Sequence, residues 1–144
     1  MAKSSSVITM VESPKIIRVT AAIIELENKI LIAQRKAKDS LFGGLWEFPG
    51  GKIEDGETPK ECMARELKEE LEIEVEVGTL ITSNEHRYPD GIFELLVYRV
   101  QHIYGNFILN DHDEIKWITI DELSNFEFPP ANTPIINYLK NSYE

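Results

Sequence analysis

The chain has 144 residues, 42% of them hydrophobic, which suits one domain with its own core and not a disordered segment. Its 25 acidic residues outnumber 15 lysines and arginines; the formal charge of −10 repels a phosphate backbone and argues against stable nucleic-acid binding. No apolar run approaches the roughly 18 residues of a membrane-spanning helix, and the single cysteine, Cys62, excludes an intramolecular disulfide and fits a reducing, cytoplasmic setting.

In chain order, residues 1–15, with Ser4-Ser5-Ser6 and Ser13-Pro14, read as a flexible tail lacking the continuous apolar stretch of a secretory signal. Residues 16–144 carry no repeat, linker or composition break and read as a single domain. Ile16 to Leu26 is rich in β-branched residues and predicts a mostly buried strand; Glu27-Asn28-Lys29 turns it into a second strand, Ile30 to Arg35. Gly43-Gly44 and Pro49-Gly50-Gly51 punctuate a long loop interrupted by the apolar piece Leu45 to Phe48. Thr58, Pro59 and Glu61 then form a capping-box helix start, and Met63, Leu67 and Leu71 give that helix its buried stripe. Strands are expected over Ile73 to Thr82, Phe93 to Tyr104 and Ile115 to Ile118, with a brief helix at Asp121 to Phe126. Thr133-Pro134 opens a last helix running to about Asn141. Strands and helices mix without regular βαβ alternation, which predicts an α+β or α/β sandwich with a mixed sheet.

The chemistry concentrates in residues 51–73, GKIEDGETPKECMARELKEELEI. On the predicted helix Glu66, Glu69 and Glu70 stand at i, i+3 and i+4 and share an arc of about 100°. Such a cluster is ordinarily a solvated acidic face, whose members repel by a few tenths of a kcal/mol per pair. A hard divalent cation would turn that repulsion into a binding site, because magnesium and calcium favour carboxylate and carbonyl oxygens. Gly50 and Gly51 let the backbone turn sharply and bring a carbonyl toward the same ion, and Arg65 is placed to orient a carboxylate by a bidentate contact.

Gly51, Glu57, Arg65-Glu66-Leu67 and Glu69-Glu70 together resemble the signature of the Nudix hydrolases. The resemblance implies a Nudix-type sandwich, a mixed β-sheet packed between helices, and an activity that hydrolyses a nucleoside diphosphate linked to another moiety. It assigns Glu66, Glu69, Glu70 and the Gly50 carbonyl to metal binding, with Mg2+ as the ion and Mn2+ as a substitute, and Arg65 to orienting a glutamate. Glu57 reads as a brace for the loop. Glu72 stands where the family has glycine and is expected to strain a left-handed helix cap by about 1 kcal/mol.

The resemblance extends over roughly residues 16–140. Leu45-Trp46-Glu47-Phe48-Pro49-Gly50-Gly51-Lys52 and Phe128-Pro129-Pro130-Ala131-Asn132 are similar to the MutT branch, which removes oxidised guanine nucleotides. There Asn132 would read the base, its amide offering both a donor and an acceptor, the competing role being a cap for the helix at Thr133. Phe48 would line the base pocket; Arg35, Lys36 and Lys52 would contact phosphate or sugar; Asp90 matches a position retained in that branch. Gly91 departs from it, replacing an arginine that contacts the base. The run Gly44-Leu45-Trp46-Glu47-Phe48 also resembles a branch acting on CTP and modified cytosine nucleotides, and so does His112-Asp113-Glu114 followed by Trp117. The expected reaction is Mg-dependent hydrolysis of a nucleoside triphosphate to monophosphate and pyrophosphate. Glu66, Glu69 and Arg65 belong to its catalytic group, and Asp111 or a carboxylate of the 51–73 segment deprotonates the water. A nucleotide-sensing module without turnover, and hydrolysis of a nucleotide sugar or dinucleotide, are the rival expectations. The partner is a small nucleotide, for a monomer or a homodimer.

Overall fold

The computed structural model describes residues 15–39, 41–89 and 91–142, so that most of the expected tail, and Asp90 among the expected substrate contacts, lie outside the described residues. In chain order the elements are β1 (Ile16–Leu26), β2 (Lys29–Arg35), β3 (Trp46–Glu47), α1 (Pro59–Leu71), β4 (Glu74–Tyr88), β5 (Gly91–Tyr104) and β6 (His112–Ile118). A 3₁₀ turn (Ile120–Asn125), a second one (Pro130–Asn132) and α2 (Thr133–Ser142) follow.

The strands order as β3-β2-β1-β5-β4, with β6 also pairing β2. β1 runs parallel to β5, while β2 meets β1, β3 and β6 antiparallel and β4 meets β5 antiparallel, giving the mixed sheet. Glu27 and Asn28 both take positive φ, 51° and 67°, the two-residue geometry that matches strand twist in a hairpin.

Alternation along β1 builds a core on each face of the sheet. Ala21 and Ile23 join Trp46, Phe48, Leu123, Ile135 and Leu139 beneath α2, whereas Ala22 and Ile24 join Met63, Leu67, Leu71 and Ile73 beneath α1. The expected sandwich is therefore present. Helix α1 begins as its capping box dictates: the Thr58 hydroxyl accepts from the Glu61 amide at 3.1 Å and the Glu61 carboxylate accepts from the Thr58 amide at 2.9 Å. It ends on Glu72 in the left-handed region, φ 55° and ψ 39°, where a side chain costs about 1 kcal/mol or more.

Three elements differ from expectation. β4 continues past Thr82 to Tyr88 and forms one long hairpin with β5; its second half is polar outside and lines a cavity inside, so it lacks an apolar alternation. β6 begins at His112, three residues before Ile115, and its ladder with β2 slips between Gln34 and Arg35. The brief helix after β6 is a 3₁₀ turn over Ile120–Asn125. Among the described residues no helix is long and apolar enough to cross a membrane.

Candidate active site

The glycine loop is held as a backbone ribbon against β1. Thr20 donates its amide to the Gly51 carbonyl at 2.8 Å, Ala22 to Pro49 at 2.8 Å, and Ile53 donates to Arg18 at 2.9 Å. The approach is so close that a β-carbon at Gly50 would overlap the Thr20 carbonyl, and one at Gly51 would overlap the Glu66 carboxyl group. Glycine at these two positions is what lets the loop lie on the sheet while Glu66 folds over it. The Cys62 thiol, fully buried, adds a contact from α1 to the Gly51 and Lys52 carbonyls at 3.5 and 3.4 Å. Burial pushes that thiol above its ordinary range.

Arg65 is the hub of the acidic cluster. Its Nε and Nη2 meet the two Glu57 oxygens at 2.5 and 3.1 Å, and Nη1 meets Glu66 and Glu69, each at 3.1 Å. The bidentate contact thus falls on Glu57; the hydrogen bonds from Arg65, helped by the Glu54 amide, hold the Glu57 carboxyl down to about 2. The same contact with Glu57 raises the affinity of Arg65 for its proton.

Glu70 has the opposite surroundings. Only 7% exposed, it has an Oε1 atom without a partner among the described residues. Burial first, the adjoining Glu66 carboxyl next, and then the charges of Glu47, Glu66 and Asp111 push its carboxyl well above the carboxylate range. A buried acid ringed by acids lacks positive charge. That deficit, the partnerless oxygen and the glycine cradle with Glu66 folded over it are what a hard divalent cation fits. Among the described residues no three acidic, imidazole or thiol side chains already converge at ligating distances. Glu66 and Glu69 turn to Arg65 instead, and the Glu69 side chain is 57% exposed.

A cavity of about 370 Å³ opens beside this cluster. Gly50, Gly51, Glu70 and Asp111 line one part of it, and Phe48, Pro129, Ala131 and Asn132 another. Phe48 is buried and stacks on Phe128 with ring centroids 5.3 Å apart. Asn132 is buried too, its Nδ2 donating to the Pro129 carbonyl at 3.4 Å. Arg35 lines the wall, whereas Lys36 points its ammonium at the Asn110 carbonyl, 3.4 Å away, and neither Lys36 nor the exposed Lys52 lines the cavity.

Sequence reasoning missed several lining groups. Glu47 and His112, which stood only inside family-like runs, meet at 2.8 Å across 65 positions. His86, Tyr88, Phe93 and Leu95 come from the β4–β5 hairpin, where His86 pairs in register with Phe93. The alternation of His86 and Tyr88 with exposed residues was the available signal, obscured by their polarity.

The family model described as NUDIX domain matches residues 19–138, spanning the sheet, the glycine loop and α1. The chain is 38% identical over 122 residues to a CTP pyrophosphohydrolase of Escherichia coli (strain K12), covering 85% of this chain and 90% of that protein. It is 35% identical over 126 residues to an 8-oxo-dGTP diphosphatase of the same strain, covering 88% and 98%. Among solved structures, that of the E. coli ORF135 protein is similar with a TM-score of 0.80 at 36% identity, covering 89% of this chain and 91% of that one.

Proposed function

The chain belongs to the Nudix family and is a hydrolase of phosphoric anhydrides, and from that premise we propose that it is a magnesium-dependent nucleoside-triphosphate pyrophosphohydrolase that clears oxidised purine deoxynucleotides such as 8-oxo-dGTP. The observation that carries the reading is the joining, in one cavity, of the acid-rich glycine cradle and the Phe48–Asn132 wall. Polyphosphate and base would each find a matching surface there.

Glu66, Glu69, Glu70 and the Gly50 carbonyl would hold the cation, which supplies charge neutralisation for the polyphosphate and acidifies a neighbouring water. Arg65 keeps Glu66 and Glu69 in place, while Glu57 keeps Arg65 in place. Arg35 faces the negative charge of the phosphates from the cavity wall. Asp111, or a carboxylate of α1, takes the proton as a water oxygen bonds to an inner phosphorus and the bridging P–O bond breaks. Nucleoside monophosphate and pyrophosphate leave. Phe48 packs on the base, and the Asn132 amide reads its edge.

A second reading, hydrolysis of CTP or a modified dCTP, is favoured by Gly91 in place of a base-contacting arginine and by the similarity to the CTP pyrophosphohydrolase. Pyrophosphate release measured with 8-oxo-dGTP, dGTP, CTP and 5-methyl-dCTP, with magnesium and with EDTA, separates the two. Release from none of them would replace both with the nucleotide-sensing module.

A further inference from the structure

The cavity wall holds a charged chain of which the proposed reaction uses only Arg35. Glu47 on β3 is gripped from both sides: Arg35 Nη1 donates to its Oε1 at 3.0 Å, and His112 Nε2 lies 2.8 Å from its Oε2. All three residues line the cavity. Asp39, 3.5 Å from Arg35 Nη2, closes the chain on the far side.

His112 reaches Glu47 only because of the slip in the β2–β6 ladder. Gln34 pairs with Glu114 but Arg35 pairs with His112, so that Asp113 is passed over and its carboxylate accepts instead from the Ala37 amide at 3.2 Å. A bulge of this kind re-aims a side chain. It places the imidazole, 5% exposed, in the wall where unbroken pairing would have set Asp113 against Arg35.

The buried imidazole is poor packing material. Its Nδ1 has no partner among the described residues, a cost that an aliphatic side chain in the same space would not carry. What the ring contributes is the bond to Glu47, and because a carboxylate can only accept, the proton in that bond sits on Nε2. Arg35 has an orphan of its own, a buried Nε, so Glu47 and Asp39 set the orientation of its guanidinium.

We propose that His112 is a positioning residue: its imidazole fixes Glu47, and through Glu47 it sets the Arg35 guanidinium at the wall that receives the substrate phosphates. The inference rests on the triphosphate-hydrolase reading above. A group that orients a ground-state phosphate contact governs substrate affinity more than the chemical step.

The test is a set of variants assayed with 8-oxo-dGTP and CTP. His112→Leu is expected to raise KM about tenfold with kcat little changed, the size of effect seen when a supporting partner is removed. His112→Gln, whose amide can still donate to Glu47, recovers most of the loss. Glu47→Gln raises KM similarly, and the double variant His112→Leu/Glu47→Gln is no worse than the more damaging single change, because both break one chain. Unchanged KM with only a lowered Tm, or additive losses in the double variant, overturns the proposal. The ¹H–¹⁵N spectrum of His112 in the wild-type protein needs no substrate: a protonated Nε2 supports the bond to Glu47, and an Nδ1–H tautomer with bare Nε2 rejects it. Wild-type protein that releases no pyrophosphate from any nucleotide signals failure of the triphosphate-hydrolase reading, a separate result from any of these.

Discussion

Arg65 and Glu57 form a two-pronged ion pair, Nε to Oε2 at 2.5 Å and Nη2 to Oε1 at 3.1 Å, that ties the segment just before the Thr58 cap to helix α1. The pair adjoins Glu66 and Glu69, two of the glutamates proposed to hold the cation. Arg65 has Nη1 left for Glu66 and Glu69 only while its other edge is anchored.

Glu57→Gln should therefore lower Tm and weaken activity without abolishing either, and its effect should depend on pH. The folded-state value for Glu57, about 2, lies below its ordinary 4.5, so the contribution is complete above 4.5 and fades as pH falls toward 2. The Tm gap between wild type and Glu57→Gln is expected to be widest near neutrality and to close through that acidic window. Thermal melts at pH 7, 5, 4 and 3 measure it. A gap independent of pH would show that the carboxylate charge is not what holds Arg65.

Glu69 and Glu70 test the metal assignment from two environments. Glu69 is largely exposed, so Glu69→Ala leaves the core untouched; Glu70 is buried, and Glu70→Gln keeps its volume. Each should cut turnover at least about 100-fold, equivalent to about 2.7 kcal/mol of barrier, while circular dichroism stays unchanged. EDTA should abolish wild-type turnover and added Mg2+ restore it. Near-normal rates in either variant would remove that residue from the cation site.

How far the site could be read in advance depended on whether its parts were local in sequence. The start of α1 needs only Thr58, Pro59 and Glu61, and the proximity of Glu66 to Glu70 needs only one helical turn. The pairing of Glu47 with His112 depends on β2 standing between β3 and β6 and on a one-residue slip in a ladder, which no short-range pattern encodes. The second half of β4 was hidden for a different reason. Its inward residues include Asn84, His86 and Tyr88, so a strand facing a cavity did not show the apolar rhythm of a strand facing a core. Lys36 and Lys52 were expected as phosphate or sugar contacts from the resemblance and their charge; the Lys36 ammonium turns to the Asn110 carbonyl, Lys52 is exposed, and neither lines the cavity.

Glu72 closes α1 with φ 55°, the left-handed conformation that glycine adopts at no steric cost. Glu72→Gly should raise Tm by about 3 °C, the equivalent of about 1 kcal/mol in a domain of this size, less a small loss from the 3.1 Å contact with Asn110. A differential scanning melt at neutral pH is sufficient, and an unchanged or lower Tm would reject strain at this cap.

Asn84 is a second stored cost. Both polar atoms of its side chain are buried without a partner among the described residues, and its register neighbour is the apolar Leu95. An unmet buried donor or acceptor costs about 1–3 kcal/mol, so Asn84→Leu should stabilise the fold by about 1 kcal/mol or more in denaturant titration. A destabilised variant would show that the carboxamide has a partner, such as an ordered water, that supports it.

Asn132 decides between the two nucleotide readings. It is buried in the cavity wall near Phe48, and its one side-chain hydrogen bond among the described residues, Nδ2 to the Pro129 carbonyl at 3.4 Å, leaves the amide oxygen available to a base edge. If the amide reads the base, Asn132→Ala should lower kcat/KM for the preferred nucleotide about 10- to 100-fold, the equivalent of about 1–3 kcal/mol of lost hydrogen bonding, and lower it far less for the poorer substrates. The ratio of kcat/KM for 8-oxo-dGTP to that for CTP would then move toward one. A uniform fall across all nucleotides would assign Asn132 instead to holding the Pro129–Thr133 turn that carries α2, and base selection would pass to the His86, Tyr88 and Phe93 side of the cavity.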